Sequence, residues 1–278
     1  MQTIDSMKAP EAGAMPVARK TTASGAAYFE AGEGETLVLI HGVGMRLEAW
    51  APQIEAFSRT HRVIAVDMPG HGGSGKLPAG STLKEFVAWF GRFLDDMAIA
   101  RANVAGHSMG ALISGGAAAT FADRISRVAY LNGVYRRDPA AKAAVQARAA
   151  AIRTSGVDKE GPLLRWFGDD PQSQRARELT RAWLEAVDPE GYAIAYNAFA
   201  GGDETYADCW PSVTCPALFL TGSGDPNSTP EMAERMASLT PNGWARIVDG
   251  HRHMVNLTAP GTVNALMAEW LTCKEEPV

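Results

Sequence analysis

Six short apolar runs, TLVLI (36–40), RVIAV (62–66), ANVAG (102–106), RVAYL (127–131), PALFL (216–220) and WARIV (244–248), punctuate this chain. Between them lie stretches of helical pattern at 82–98, 109–121, 230–239 and 259–271. A strand with one wet face alternates apolar and polar residues; these runs are nearly all apolar, so they read as strands covered on both faces. Strands alternating with helices need crossover connections, which give a parallel sheet. The expected class is α/β, with a mostly parallel central sheet and helices on both faces. At 278 residues the chain can bury one such core without disulfides or metal.

One interval breaks the rhythm. From 138 to 208 the chain favours helix throughout (PAAKAAVQARAAAI, LTRAWLEAV, YAIAYNAF) and contains no strand-like run. A connection of that length is rarely a plain loop. It is read as a helical cap inserted over the carboxyl edge of the sheet, where α/β folds place their sites. The expected division is an N-terminal arm over 1–24, a core over 25–137 and 209–278, and the cap over 138–208.

Hydrophobic residues make up 46% and charged residues 21%, and the formal charge is −5. No basic face is implied, so nucleic acid and anionic membranes are not expected partners. The first twenty residues, MQTIDSMKAPEAGAMPVARK, contain no apolar stretch of signal-peptide length, and no run approaches a membrane span. Cys209, Cys215 and Cys273 are odd in number and lack CxxC spacing, which suggests neither a disulfide framework nor a zinc site. A cytoplasmic protein is expected, with no metal or organic cofactor, a small-molecule substrate as partner, and homodimerisation left open.

The chemistry concentrates at Gly106-His107-Ser108-Met109-Gly110, where an apolar run ends and a helical pattern begins. A serine on a tight strand-to-helix turn is forced toward strained backbone angles and holds its hydroxyl outward; side chains two positions either side would collide, so glycine stands there. A hydroxyl becomes a nucleophile only when an imidazole takes its proton, and the imidazole needs a carboxylate to fix its tautomer. Of six histidines, His61 opens a strand, His107 is expected to point away from Ser108, and His41 and His71 lie in glycine loops that shape a site without supplying the base. The DGHRHMVN loop leaves His251 and His253, and the helix that follows favours His253 by anchoring the loop. Asp225, at the end of PALFL, is the candidate acid, with an N-cap role as its alternative; the competing position after RVAYL is Asn132, a neutral amide. Two backbone N–H groups should hold developing negative charge: that of Met109 and that of Val43 in His41-Gly42-Val43-Gly44, whose glycines permit close approach.

With HGVG at 41, VDMPGHGGS at 66–74, GHSMG at 106, GSGDP at 222 and GHRHMVN at 250, the chain resembles the α/β-hydrolase superfamily over about residues 25–272. The resemblance implies the order Ser108, Asp225, His253 for a catalytic triad and aligns His253, not His251, with the base. Dehalogenases and epoxide hydrolases carry aspartate where this chain has Ser108, and C–C bond hydrolases of ring-fission products usually carry tryptophan where it has Met254. The HMVN pattern is similar to that of enol-lactonases and small carboxylesterases. The implied activity is hydrolysis of a small ester or lactone through an acyl-serine. The alternatives are C–C bond hydrolysis of a β-diketone-like product and, outside catalysis, a ligand receptor on the same fold; cofactor-free oxygenases and perhydrolases share these motifs. Gly42, Trp166, Trp183 and Tyr196 are expected at the substrate, with Arg136 and Arg137 as clamps for a substrate carboxylate or, alternatively, as cap salt bridges.

Overall fold

The structure is a computed structural model that describes residues 18–273. Of the arm expected over 1–24, residues 1–17 lie outside the described residues. The chain then forms β1 (Lys20–Thr21), β2 (Ala27–Ala31), β3 (Glu35–Ile40), α1 (Ala51–Phe57), β4 (His61–Val66), α2 (Leu83–Asp96), β5 (Ala102–His107), α3 (Met109–Thr120) and β6 (Ile125–Leu131). Four helices follow, α4 (Pro139–Ser155), α5 (Glu160–Trp166), α6 (Pro171–Ala186) and α7 (Pro189–Ala200), before β7 (Ala217–Gly222), α8 (Pro230–Leu239), β8 (Gly243–Val248), α9 (Val255–Thr258) and α10 (Pro260–Thr272).

All six expected strands are present, and β1 and β2 join them in one eight-stranded sheet ordered β1-β2-β4-β3-β5-β6-β7-β8. Only β2 runs antiparallel to the rest, pairing so with both β1 and β4. The end of the expected arm is therefore ordered as an edge strand. In β3 the apolar run splits by pleat: Val38 and Ile40 enter one core with Phe86, Phe90 and Phe93 of α2, while Leu37 and Leu39 enter the opposite core with Ile54 of α1 and Trp270 of α10. Helices on both faces are why these strands lack polar alternation. Full burial of each such side chain contributes about 1.5–3 kcal/mol.

The helical stretch after β6 has its own start signals. Asp138, Asp170 and Asp188 each cap a helix whose next residue is proline, accepting from the N–H of Ala141, Ser173 and Gly191; Thr229 does the same for α8. An acceptor at the N-cap and a proline at the next position satisfy or remove orphan N–H groups. This stretch packs onto the main core: Leu163, Phe167, Leu184 and Tyr192 belong to the same cluster as Val43 and Met45. Its α7 meets the loop after β4 backbone to backbone, since a Cβ on Gly70 would stand 2.5 Å from Gly191 Cα. Among the described residues no helix is long and apolar enough to cross a membrane.

Candidate active site

Because β3, β5, β6 and β7 run parallel, the loops leaving their carboxyl ends gather on one rim. Ser108 follows β5 directly and holds φ 56°, a left-handed conformation that a non-glycine residue adopts at a cost of about 1–3 kcal/mol. The flanking glycines are required sterically: a Cβ on Gly106 would stand 2.0 Å from Gly110 O, and one on Gly110 would stand 2.1 Å from Ile40 O. Gly42 faces the serine, its missing Cβ falling 2.9 Å from Ser108 Cβ.

Asp225 leaves the end of β7 and is buried to 3% exposure. Its Oδ1 accepts the N–H groups of Asn227 (2.8 Å) and Ser228 (3.2 Å), and Oδ2 accepts His253 Nδ1–H at 2.7 Å and Asn132 Nδ2–H at 2.9 Å. Burial alone would push this carboxyl up; the charge of His253 and these hydrogen bonds outweigh it and hold its pKa below the ordinary value. With Nδ1–H committed to Asp225, His253 presents Nε2 as an acceptor. His251, the alternative, is instead hydrogen-bonded to Thr258 Oγ1 at 3.0 Å. The N-cap alternative for Asp225 falls to Thr229. Ser108 Oγ has no hydrogen-bond partner among the described residues.

Three residues outside the expected site hold it. His107 Nε2–H donates to the His253 carbonyl at 2.8 Å, tying the serine turn to the histidine loop. Burial, then the nearby charge of His253, pushes the His107 pKa down to about 3, so it remains a neutral donor. Asn132, set aside in sequence as merely neutral, orients the acid; Asn256 Nδ2 grips Ala49 O at 2.8 Å and fixes the loop beyond His253. A hydrogen-bond role across strands has no local sequence signal, which is why these residues escape a linear reading.

In the HGVG loop, His71 Nε2 accepts the Gly44 N–H at 2.9 Å, and Gly42 O accepts both His41 Nδ1–H at 2.8 Å and the Met45 N–H at 3.2 Å. Burial pushes His71 down to about 3 and lowers His41, so both rings stay neutral. Neither the Val43 nor the Met109 N–H has a partner among the described residues.

The expected substrate residues divide. The Trp166 ring lies 5.4 Å from that of His253. Tyr196 stacks on Tyr192 at 5.7 Å, and the Tyr192 ring packs 3.0 Å from the Cβ position of Gly44. Trp183 instead lines an open groove of about 470 Å³ beside Gly70 and Lys76. Of the two readings of Arg136 and Arg137, the salt bridges are present: exposed Arg136 pairs with Asp208, and Arg137, 8% exposed, pairs with Asp203 at 3.0 Å and lies over the Phe199 ring. Both pairs join the exit of β6 to the segment after α7, while Arg137 Nη2 is buried without a hydrogen-bond partner among the described residues.

Residues 37–266 match the alpha/beta hydrolase family. The chain belongs to that family. It is 52% identical over 244 residues to (E)-2-((N-methylformamido)methylene)succinate hydrolase of Acinetobacter baylyi, covering 88% of this chain and 93% of the relative. The crystal structure of the enol-lactonase from Burkholderia xenovorans LB400 superposes with a TM-score of 0.83 at 29% identity, covering 92% of this chain and all of that one. A malate-bound thermophilic esterase from Thermogutta terrifontis shares the fold, with a TM-score of 0.82 at 24% identity over 91% of this chain and 97% of that one. The mostly parallel sheet with helices on both faces is the α/β-hydrolase fold, and this α/β hydrolase is an enzyme of the hydrolase class.

Proposed function

We propose that this α/β hydrolase is a serine hydrolase that cleaves the acyl–nitrogen bond of a small acidic N-acyl enamine of the alkylidene-succinate type. The hydrogen bond from His253 to Asp225, together with a serine on a strained turn, supports the mechanism. The substrate class rests on the likeness to the Acinetobacter baylyi enzyme, whose printed substrate is a succinate bearing an N-methylformamido group.

In this reading Ser108 Oγ attacks the acyl carbonyl carbon while its proton passes to His253 Nε2, and the imidazolium is stabilised by Asp225. The carbonyl electron pair moves onto oxygen, which accepts from the Val43 and Met109 N–H groups; each such donor is worth on the order of a hundredfold to a thousandfold in rate. Collapse breaks the C–N bond, and His253 returns its proton to the departing enamine nitrogen. Water, deprotonated by His253, then attacks the acyl-serine, and Ser108 Oγ leaves with the proton that His253 has just taken. For a formyl substrate the second product is formate.

A second reading replaces the amide by an ester or enol-lactone, with oxygen as the leaving atom. It is supported by the enol-lactonase superposition and by the HMVN segment. The test offers (E)-2-((N-methylformamido)methylene)succinate, p-nitrophenyl esters and lactones to the full chain and to its Ser108→Ala variant. Formate release from the amide, falling by at least about a thousandfold in the variant, is the expected result. Turnover confined to esters and lactones transfers the assignment to the second reading, and undiminished turnover by Ser108→Ala rejects the serine mechanism in both.

A further inference from the structure

Arg136 pairs with Asp208 and Arg137 with Asp203, Arg137 Nη2 alone staying buried without a partner, and α5 and α6 hold further cations. On α6, Arg177, Thr180 and Leu184 share one face at helical spacing. Leu184 Cδ2 lies 2.6 Å from the position a Gly44 Cβ would take, so this face is turned toward the HGVG loop. On that same face the Arg177 Nε and the Thr180 Oγ1 are buried without a hydrogen-bond partner among the described residues, and Thr180 has 0% exposure. Buried donors are seldom left unpaired in a finished structure, so two together mark a place for a ligand's acceptors.

The remaining Arg177 contacts are Nη2–H to Gly168 O at 3.2 Å and Asp169 at 3.7 Å, the latter carboxylate being 96% exposed and heavily screened by water. Gly168 follows Trp166, the ring that faces His253, by two residues. Half-buried Arg165, the residue before Trp166 in α5, has no ion pair among the described residues; its Nη1 and Asp158 Oδ2 stand 2.9 and 2.1 Å from the Cβ position of Gly161, whose N–H Asp158 accepts at 2.9 Å. The cations of Arg165 and Arg148 lie within electrostatic reach of the Tyr192 hydroxyl, and Arg148 Nε is held by Tyr196 at 3.1 Å. By contrast Arg181, the next arginine of α6, is neutralised by Glu160.

We infer that Arg165 and Arg177, flanking Trp166, bind the carboxylates of a dicarboxylate substrate, with the Thr180 hydroxyl completing the acceptor shell around Arg177. This deepens the proposed function and rests on it for the location of the scissile carbonyl; binding itself does not require catalysis. A small dicarboxylate held at both ends would present the group between them to Ser108, whereas neutral esters would lose this orientation.

The test is calorimetric titration of the full-length Ser108→Ala chain with 2-methylidenesuccinate, the dicarboxylate skeleton without a scissile bond. Binding is expected, and Arg165→Met and Arg177→Met should each raise Kd by about tenfold to a hundredfold, as loss of a charge-assisted hydrogen-bond pair predicts. Arg165→Lys and Arg177→Lys, which retain a point charge but not the fork, should weaken binding less, and they carry the test if a methionine variant does not fold. Absence of binding by the parent, or an unchanged Kd in both positions' variants, overturns the inference. Failure of the hydrolase reading would show separately, as turnover that survives Ser108→Ala.

Discussion

His107→Leu removes the donor that ties the serine turn to the histidine loop. The His253 carbonyl that it serves at 2.8 Å is buried, with the residue at 2% exposure. Leucine approximates the volume but leaves that carbonyl unpaired, at a cost of about 1–3 kcal/mol. The loop can recover part of this by shifting toward another donor, and the His253 ring, whose centroid lies 5.0 Å from that of His107, would move with it. A misplacement of about 1 Å at a reacting group costs on the order of a hundredfold. The 2.7 Å bond to Asp225 restrains the ring from the other side, so a fall in kcat of about tenfold to a hundredfold is expected, with KM little changed. His107→Gln places an amide N–H near the same point and should restore most of kcat. Steady-state kinetics on the substrate proposed above, paired with thermal melts, decide the matter. Equal kcat in the leucine variant and the parent, or a glutamine variant no better than leucine at the same stability, would refute the positioning role.

Gly42→Ala puts a methyl group 2.9 Å from Ser108 Cβ and 3.2 Å from His107 Nδ1; kcat should fall on the order of a hundredfold with a stability loss of about 1–3 kcal/mol, read by kinetics and urea unfolding, and unchanged kcat would remove the close-approach argument. Arg137→Met strands buried Asp203 without its cation, so a loss of about 3–5 kcal/mol is expected with selectivity for acidic substrates retained; a selective loss of acidic turnover at parental stability would return Arg137 to the substrate site. His71 and His107 both have pKa values depressed to about 3 by burial, from an ordinary 6.5. Below that ordinary value the unfolded chain takes up protons that the folded chain refuses, so their stabilisation is full above about pH 6.5 and is lost as pH falls toward 3, at about 1.4 kcal/mol per pH unit for each ring. Urea unfolding at a series of pH values should show that slope, and His71→Gln should reduce it by one ring's share; an unaltered slope would mean that His71 titrates normally.

Much of the architecture was legible because apolar periodicity is a local property of the chain. Each of the six strands lies within two residues of its apolar run, and Asp-Pro and Thr-Pro pairs announce the helices α4, α6, α7 and α8. The elements that were not legible, β2 and α1 among them, escaped for equally physical reasons. β2, next to the edge strand, carries Glu30 and is only partly buried, so its composition is mixed; α1 spans only seven residues, too few to display a helical period.

The sequence by itself determined the parallel sheet, the glycine-flanked serine turn and the order of serine, acid and histidine, since each depends on neighbours along the chain. Tertiary structure alone decided that Asp225 holds His253 while Thr258 holds His251, that His107 and Asn132 brace the pair, and that Arg137 pairs with Asp203. Which charges neutralise one another depends on loops from separate strands meeting at one rim. Sequence distance carries no trace of that encounter, as the 146 residues between His107 and the carbonyl it holds make plain.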